Sequence, residues 1–161
     1  MRVAAVALLA AAVASAAAAQ PALSPADEAA AFGAAGFKRV GGQWQGCGDP
    51  GTASYTPGQI DSVADLNGDG RPEAVISEGS SFCFGSTESG YAIVSKQGDG
   101  TWKLVTSGPG VVTPLASKGA GGWPDLEIGG PGFCFPVERF NGREYVFNRN
   151  EYEGEPCRPQ D

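Results

Sequence analysis

From Gly36 onward the chain is interrupted every few residues by glycine or proline, and this punctuation constrains the fold more than any other feature. Most of the 25 Gly and 12 Pro stand in short clusters between β-branched and aromatic runs. A helix interior loses about 1 kcal/mol at each Gly and about 3 kcal/mol at each Pro relative to Ala, whereas short strands joined by tight turns accept both. The predicted class is therefore mainly β, a compact antiparallel sheet or sandwich. One short helix is predicted ahead of it. Ser24-Pro25-Ala26-Asp27-Glu28 supplies a capping Ser, a first-turn Pro and early acids before an Ala-rich run, so a helix from about Pro25 to Ala35 ending at Gly36 is expected.

Two self-similarities organise the β region. Pro72-Glu73-Ala74-Val75-Ile76 leads into Ser81-Phe82-Cys83-Phe84, and Pro124-Asp125-Leu126-Glu127-Ile128 leads into Gly132-Phe133-Cys134-Phe135, an offset of 52 residues at the prolines (124 − 72) and 51 at the cysteines (134 − 83). Three segments share a Gly-centred turn followed by an aromatic: Val40 to Trp44, Gln97 to Trp102 and Phe140 to Tyr145. Asn141-Gly142 reads as a type I′ turn. The aromatics Phe82, Phe84, Phe133, Phe135 and Trp123 could line a binding groove, but for strand aromatics packing in the core is the favoured reading. Cys47, Cys83, Cys134 and Cys157 form an even set without a C-x-x-C pair, which predicts two disulfides in an oxidising compartment. Of the three pairings, the one that staples each half of the repeat joins Cys47 to Cys83 and Cys134 to Cys157. A structural zinc site is disfavoured by the absence of His and of short ligand pairs.

The N-terminus gives the compartment. Met1 and Arg2 precede an almost pure Ala/Val/Leu run through Ala19, the pattern of an export signal, with cleavage expected after Ala17-Ala18-Ala19. The run is too short and too weakly apolar for a stable membrane anchor, and Gln20, Pro21 and Ser24 follow at once. No Cys stands at the cleavage point to take a lipid. The reading is a signal peptide at 1–19 and one β-rich calcium-loop domain at 20–161, periplasmic or secreted. Removing the signal takes away Arg2 and no acid, so the net charge goes from −7 to −8. Such a surface repels nucleic acid and anionic head groups and favours divalent cations or basic partners.

Asp65-Leu66-Asn67-Gly68-Asp69-Gly70-Arg71-Pro72-Glu73 sets oxygen-bearing side chains at positions 1, 3, 5 and 9, with Gly at 6. A hard cation such as calcium takes six to eight oxygens, and a loop curling round it presents alternate side chains inward. Arg71, at position 7, would contribute its backbone carbonyl. The loop is EF-hand-like only in part. Position 12 is Ile76 instead of the bidentate Glu, the flanks Ile60 to Ala64 and Ala74 to Ser77 read as strands, and Pro72 would break an exiting helix. The stretch from Val63 to Ile76 resembles the calcium loop of FG-GAP/VCBS-type repeats, found in integrin α-subunit propellers and many secreted bacterial proteins. That resemblance implies Asp65, Asn67, Asp69, the Arg71 carbonyl and Glu73 as metal ligands and Ca2+ as the cofactor, with Glu73 in place of the more usual Asp. In the second repeat Lys118-Gly119-Ala120-Gly121-Gly122-Trp123 replaces these acids, so one site is expected. A closed propeller needs at least about four blades of four strands, and this chain supplies two or three propeller-blade-like units, so a compact sheet or sandwich is expected instead of a ring.

With no His in the chain, Ser-His-Asp, Cys-His and histidine-ligated metal catalysis are excluded. No phosphate-cradling Gly motif followed by Lys is present. The available close carboxylate pairs are Asp125/Glu127 and Glu151/Glu153. Three functions follow as expectations: an exported calcium-binding module with a protein or glycan partner and a structural cation, an inhibitor of a basic, lysozyme-like hydrolase, and a carboxylate glycosidase.

Overall fold

A computed structural model describes residues 22–159. The export signal and its cleavage point lie outside the described residues. The described residues are mainly β, with eleven strands in two curled antiparallel sheets. The first sheet runs β1 (Lys38–Val40), β2 (Gln43–Gln45), β3 (Thr56–Ala64), β4 (Glu73–Gly79), β5 (Ser89–Lys96) and β6 (Trp102–Pro109). The second contains β7 (Val111–Lys118), β8 (Pro124–Gly129), β9 (Phe135–Phe140), β10 (Tyr145–Tyr152) and β11 (Glu155–Pro156), each strand beside its sequence neighbour. Within these, β3–β6 and β7–β10 are meanders of four strands, and the repeated Pro-acid stretch opens the second strand of each. Helix α1 (Pro25–Ala34) is capped by the Ser24 hydroxyl, which accepts from the Asp27 amide, and a one-turn helix α2 (Ser81–Phe84) follows β4.

Strand alternation sends successive side chains to opposite faces, and both faces of the first sheet are covered. On one face Phe32 of α1 packs with Ile76, Ala92, Val94 and Trp102, and its ring stacks on Trp44 at 4.6 Å between centroids. On the other face Val75, Tyr91 and Ile93 meet Leu126 of the second sheet. The α1 face is further pinned by polar contacts: Asp27 accepts from Trp102 Nε1 and pairs with Lys96 at 2.8 Å, and Glu28 accepts from Trp44 Nε1. Among the described residues no helix is long and apolar enough to cross a membrane.

Antiparallel connection gives the molecule two unlike ends. One carries the turns β1–β2, β3–β4, β5–β6, β7–β8 and β9–β10, and so holds the Asp65–Glu73 loop. The opposite end carries both disulfides, Cys47–Cys83 and Cys134–Cys157, one in each half of the repeat. Two expectations are corrected here. Asn141 does not take positive φ, so Asn141-Gly142 is not a type I′ turn; the Asn141 side chain instead accepts from the amides of Arg143 and Glu144. A two-residue hairpin turn with positive φ at both positions is instead formed by Gly41-Gly42, between paired Val40 and Gln43. Phe82 and Phe133 are exposed at 64% and 77%, not in the core, because each lies in a connection beyond a strand end.

Candidate metal centre

The loop between β3 and β4 curls around its first residue. Asp65 Oδ1 accepts from the amides of Gly68 (2.8 Å) and Asp69 (3.0 Å), and Oδ2 accepts from the amide of Gly70 (2.9 Å). Asn67 Oδ1 accepts from Asp69 N, and Asp69 Oδ1 accepts from Arg71 N. Gly68 (φ 80) and Gly70 (φ 82) take the left-handed bends that this curl requires. Asp65 and Asp69 are open to solvent, whereas Glu73, the first residue of β4, is fully buried at the base. Glu73 Oε2 accepts from the Leu66 amide (2.8 Å) and Oε1 from the Ser95 hydroxyl (2.7 Å). Burial pushes the Glu73 carboxyl upward against the help of these two donors, and the charges of Asp69 and Asp65 add to the shift.

The fold thus brings Asp65, Asn67, Asp69, Arg71 and Glu73 into one turn. The donor chemistry fits a hard cation, since carboxylate, amide and carbonyl oxygens are all of the class calcium takes. Among the described residues no three His, Cys, Asp or Glu side chains are arranged around one point as a ready metal cage. The loop's oxygens are turned to their own backbone amides, and the Arg71 guanidinium pairs with Asp69 Oδ2 while its Nε donates to the Lys96 carbonyl.

The second sheet presses on this loop from the side. Lys118 Nζ donates to the Leu66 carbonyl at 2.9 Å, and a Cβ on Gly122 would stand 2.3 Å from the Asn67 carbonyl oxygen, so only glycine fits there. The repeat counterpart of Glu73 is Asp125, also fully buried, and its surroundings differ. Arg139 holds it through Nε (2.9 Å) and Nη2 (2.8 Å), Arg149 through Nη1 (2.7 Å), and Ser117 through its hydroxyl (2.7 Å). The Arg139 guanidinium above all, with Ser117 and Arg149, holds the Asp125 carboxyl well below the usual carboxylate range despite burial. Sequence reasoning missed this cluster, because the arginines lie 14 and 24 residues beyond Asp125 on other strands. Of the two carboxylate pairs, Asp125 is committed to these arginines and Glu151 to Arg149 Nε at 2.7 Å, while Glu153 sits at a positive-φ turn. No protein-family model, no curated protein and no solved structure matches the chain.

Proposed function

We propose that this is an exported calcium-binding module in which one ion, held by Asp65, Asn67, Asp69, the Arg71 carbonyl and Glu73, clamps the β3–β4 turn, and in which the two four-stranded meanders are propeller-blade-like units of the FG-GAP/VCBS type. The observation that carries this reading is that Glu73 is a carboxyl buried without a counter-charge. It is buried beneath two further acids, and no ion pair among the described residues includes it, although its counterpart Asp125 has two guanidiniums. A buried carboxylate without a counter-charge is costly, and a bound cation removes that cost while binding the folded state alone. The ion's role is structural: its loop abuts Gly122 and Lys118 of the second sheet, so fixing the loop fixes a contact between the two units.

Calorimetric titration of the purified chain with calcium is expected to show one site. Asp69→Ala should abolish the binding heat, because position 5 has no substitute oxygen, and Glu127→Ala should leave it unchanged. Equal heats from wild type and Asp69→Ala would defeat the proposal.

A further inference from the structure

At the end opposite the cation loop, on the α1 face of the first sheet, lies another buried carboxylate, Glu78, with no cation partner among the described residues. Glu78, 4% exposed, accepts from the Gly46 amide (2.9 Å) and the Tyr55 hydroxyl (3.1 Å) at Oε1, and from the Cys47 amide (2.9 Å) at Oε2. Burial first, and then the hydrogen bond to Glu78 and its charge, push the Tyr55 hydroxyl up to about 12, so it stays a donor at neutral pH. No ion pair among the described residues includes Glu78. A carboxylate offers about four acceptor positions, and three are filled here, two on Oε1 and one on Oε2.

Glu78 borders a cavity of about 380 Å3, whose lining also includes Phe37, Phe84, Gly46, Gly90 and Ser107. The aromatic rings lie close over glycines. A Cβ on Gly90 would stand 2.3 Å from Phe84 Cε1, and one on Gly46 would stand 2.8 Å from Phe37 Cζ and 2.9 Å from Glu78 Oε2. The cavity is thus apolar and aromatic at its sides, carries one fixed negative charge with an acceptor position left on Oε2, and opens past the exposed Ser107 and Pro109. Its volume is that of a small-ligand site.

We propose that this cavity binds a primary alkylammonium group on an aliphatic stem, the chemistry shared by a lysine side chain and a free alkylamine. The ammonium donates to Glu78 Oε2 and supplies the missing counter-charge, the stem packs against Phe37 and Phe84, and the aromatic faces add cation–π attraction. The net charge of −7 draws such cations to the molecule. The site is independent of the cation loop, which lies at the other end of the same strands.

The test is an NMR titration of the purified, calcium-saturated chain with n-butylammonium chloride, 1-butanol, and a short lysine-containing peptide beside its norleucine counterpart. Saturable shifts at Phe37, Phe84 and Ser107 are expected with n-butylammonium, and binding roughly tenfold or more weaker with 1-butanol, the difference made by a charged hydrogen bond. The lysine peptide separates the sources: binding as tight as the amine points to a protein side chain, and amine binding alone points to a free amine. Glu78→Gln should lose the preference for the amine over the alcohol. Because Glu78 also anchors the Cys47 segment, Ser107→Leu provides the second variant. It leaves every Glu78 hydrogen bond in place and fills the cavity mouth, so it should abolish amine binding without changing the melting temperature. Absence of saturable amine binding in the folded wild type, equal binding of amine and alcohol, or full binding by Ser107→Leu would each overturn the proposal.

Discussion

Glu73 and Asp125 occupy the same place in two copies of one sequence pattern, both fully buried after a proline at the start of a second strand, yet their charges are balanced differently. Glu73 faces the second sheet beneath an acidic loop and receives only neutral donors, an amide and a hydroxyl. Asp125 faces away from the first sheet, where among the described residues no further sheet covers it, and two arginines from β9 and β10 close over it with their guanidiniums partly in solvent. One unit carries its counter-charge in its own strands, and in the proposed reading the other takes it from solution. In that reading a repeated backbone keeps a buried acid while the source of its neutralisation changes.

The covalent staples give the largest expected effects and show whether the two units are stabilised separately. Cys47–Cys83 closes 36 residues and Cys134–Cys157 closes 23. Chain-entropy reasoning assigns about 3.8 and about 3.4 kcal/mol to loops of these lengths, in a model whose entropic basis is disputed. Replacing each pair with Ser in turn, followed by denaturant unfolding, should therefore cost slightly more in the first unit. Peptide mapping that recovers a Cys47–Cys157 bridge would contradict separate stapling.

Next in size is the Asp125 cluster. Asp125→Asn leaves two arginines without their shared carboxylate and should cost about 3 kcal/mol, the lower end for a broken buried pair because the guanidiniums are partly solvated. Glu73→Gln should behave oppositely. It removes an uncompensated buried charge while keeping an oxygen acceptor for the Leu66 amide, so in chelator it should unfold no more easily than wild type. Equal destabilisation by the two substitutions would show that the comparison is wrong.

The smallest effect is the pH dependence. The Asp125 carboxyl is depressed in the folded protein, so its pairing contributes fully above the unfolded carboxylate value of about 3.9 and is lost as pH falls further toward the folded value. Stability measured between pH 5 and pH 2 should fall with a steepness that Asp125→Asn reduces. An unchanged slope in the variant would remove Asp125 from the acid limb.

Much of this arrangement was legible from local pattern. Gly and Pro spacing marked the strands, the 51- and 52-residue offsets marked the two units and the pairing that staples each, and alternate oxygens marked the Asp65–Glu73 turn. What was not legible depends on contacts across strands. Nothing near Asp125 announces Arg139 and Arg149, since antiparallel register alone brings them together. Nor does the sequence around Glu78 show that the Gly46 and Cys47 amides arrive from 32 and 31 residues earlier. Phe82 and Phe133 defeat the core expectation because hydrophobicity does not by itself decide burial, and each lies just past the end of its strand. The Asn141-Gly142 dipeptide was misread because the Asn side chain, by capping two following amides, removes the need for positive φ at Asn141.

Thermal unfolding of the purified chain in calcium and in chelator, with Asp69→Ala beside it, tests most directly whether a cation clamps the Asp65–Glu73 loop. At a hundredfold excess over Kd, binding to the folded state adds about 2.7 kcal/mol, which for a domain of this size raises Tm by about 10 °C. That rise is expected in wild type and its absence in Asp69→Ala. Identical melting of wild type in calcium and in chelator, with no binding heat at millimolar calcium, would mean that Asp65–Glu73 is an acidic turn closed by its own amides and that Glu73 is buried without any cation.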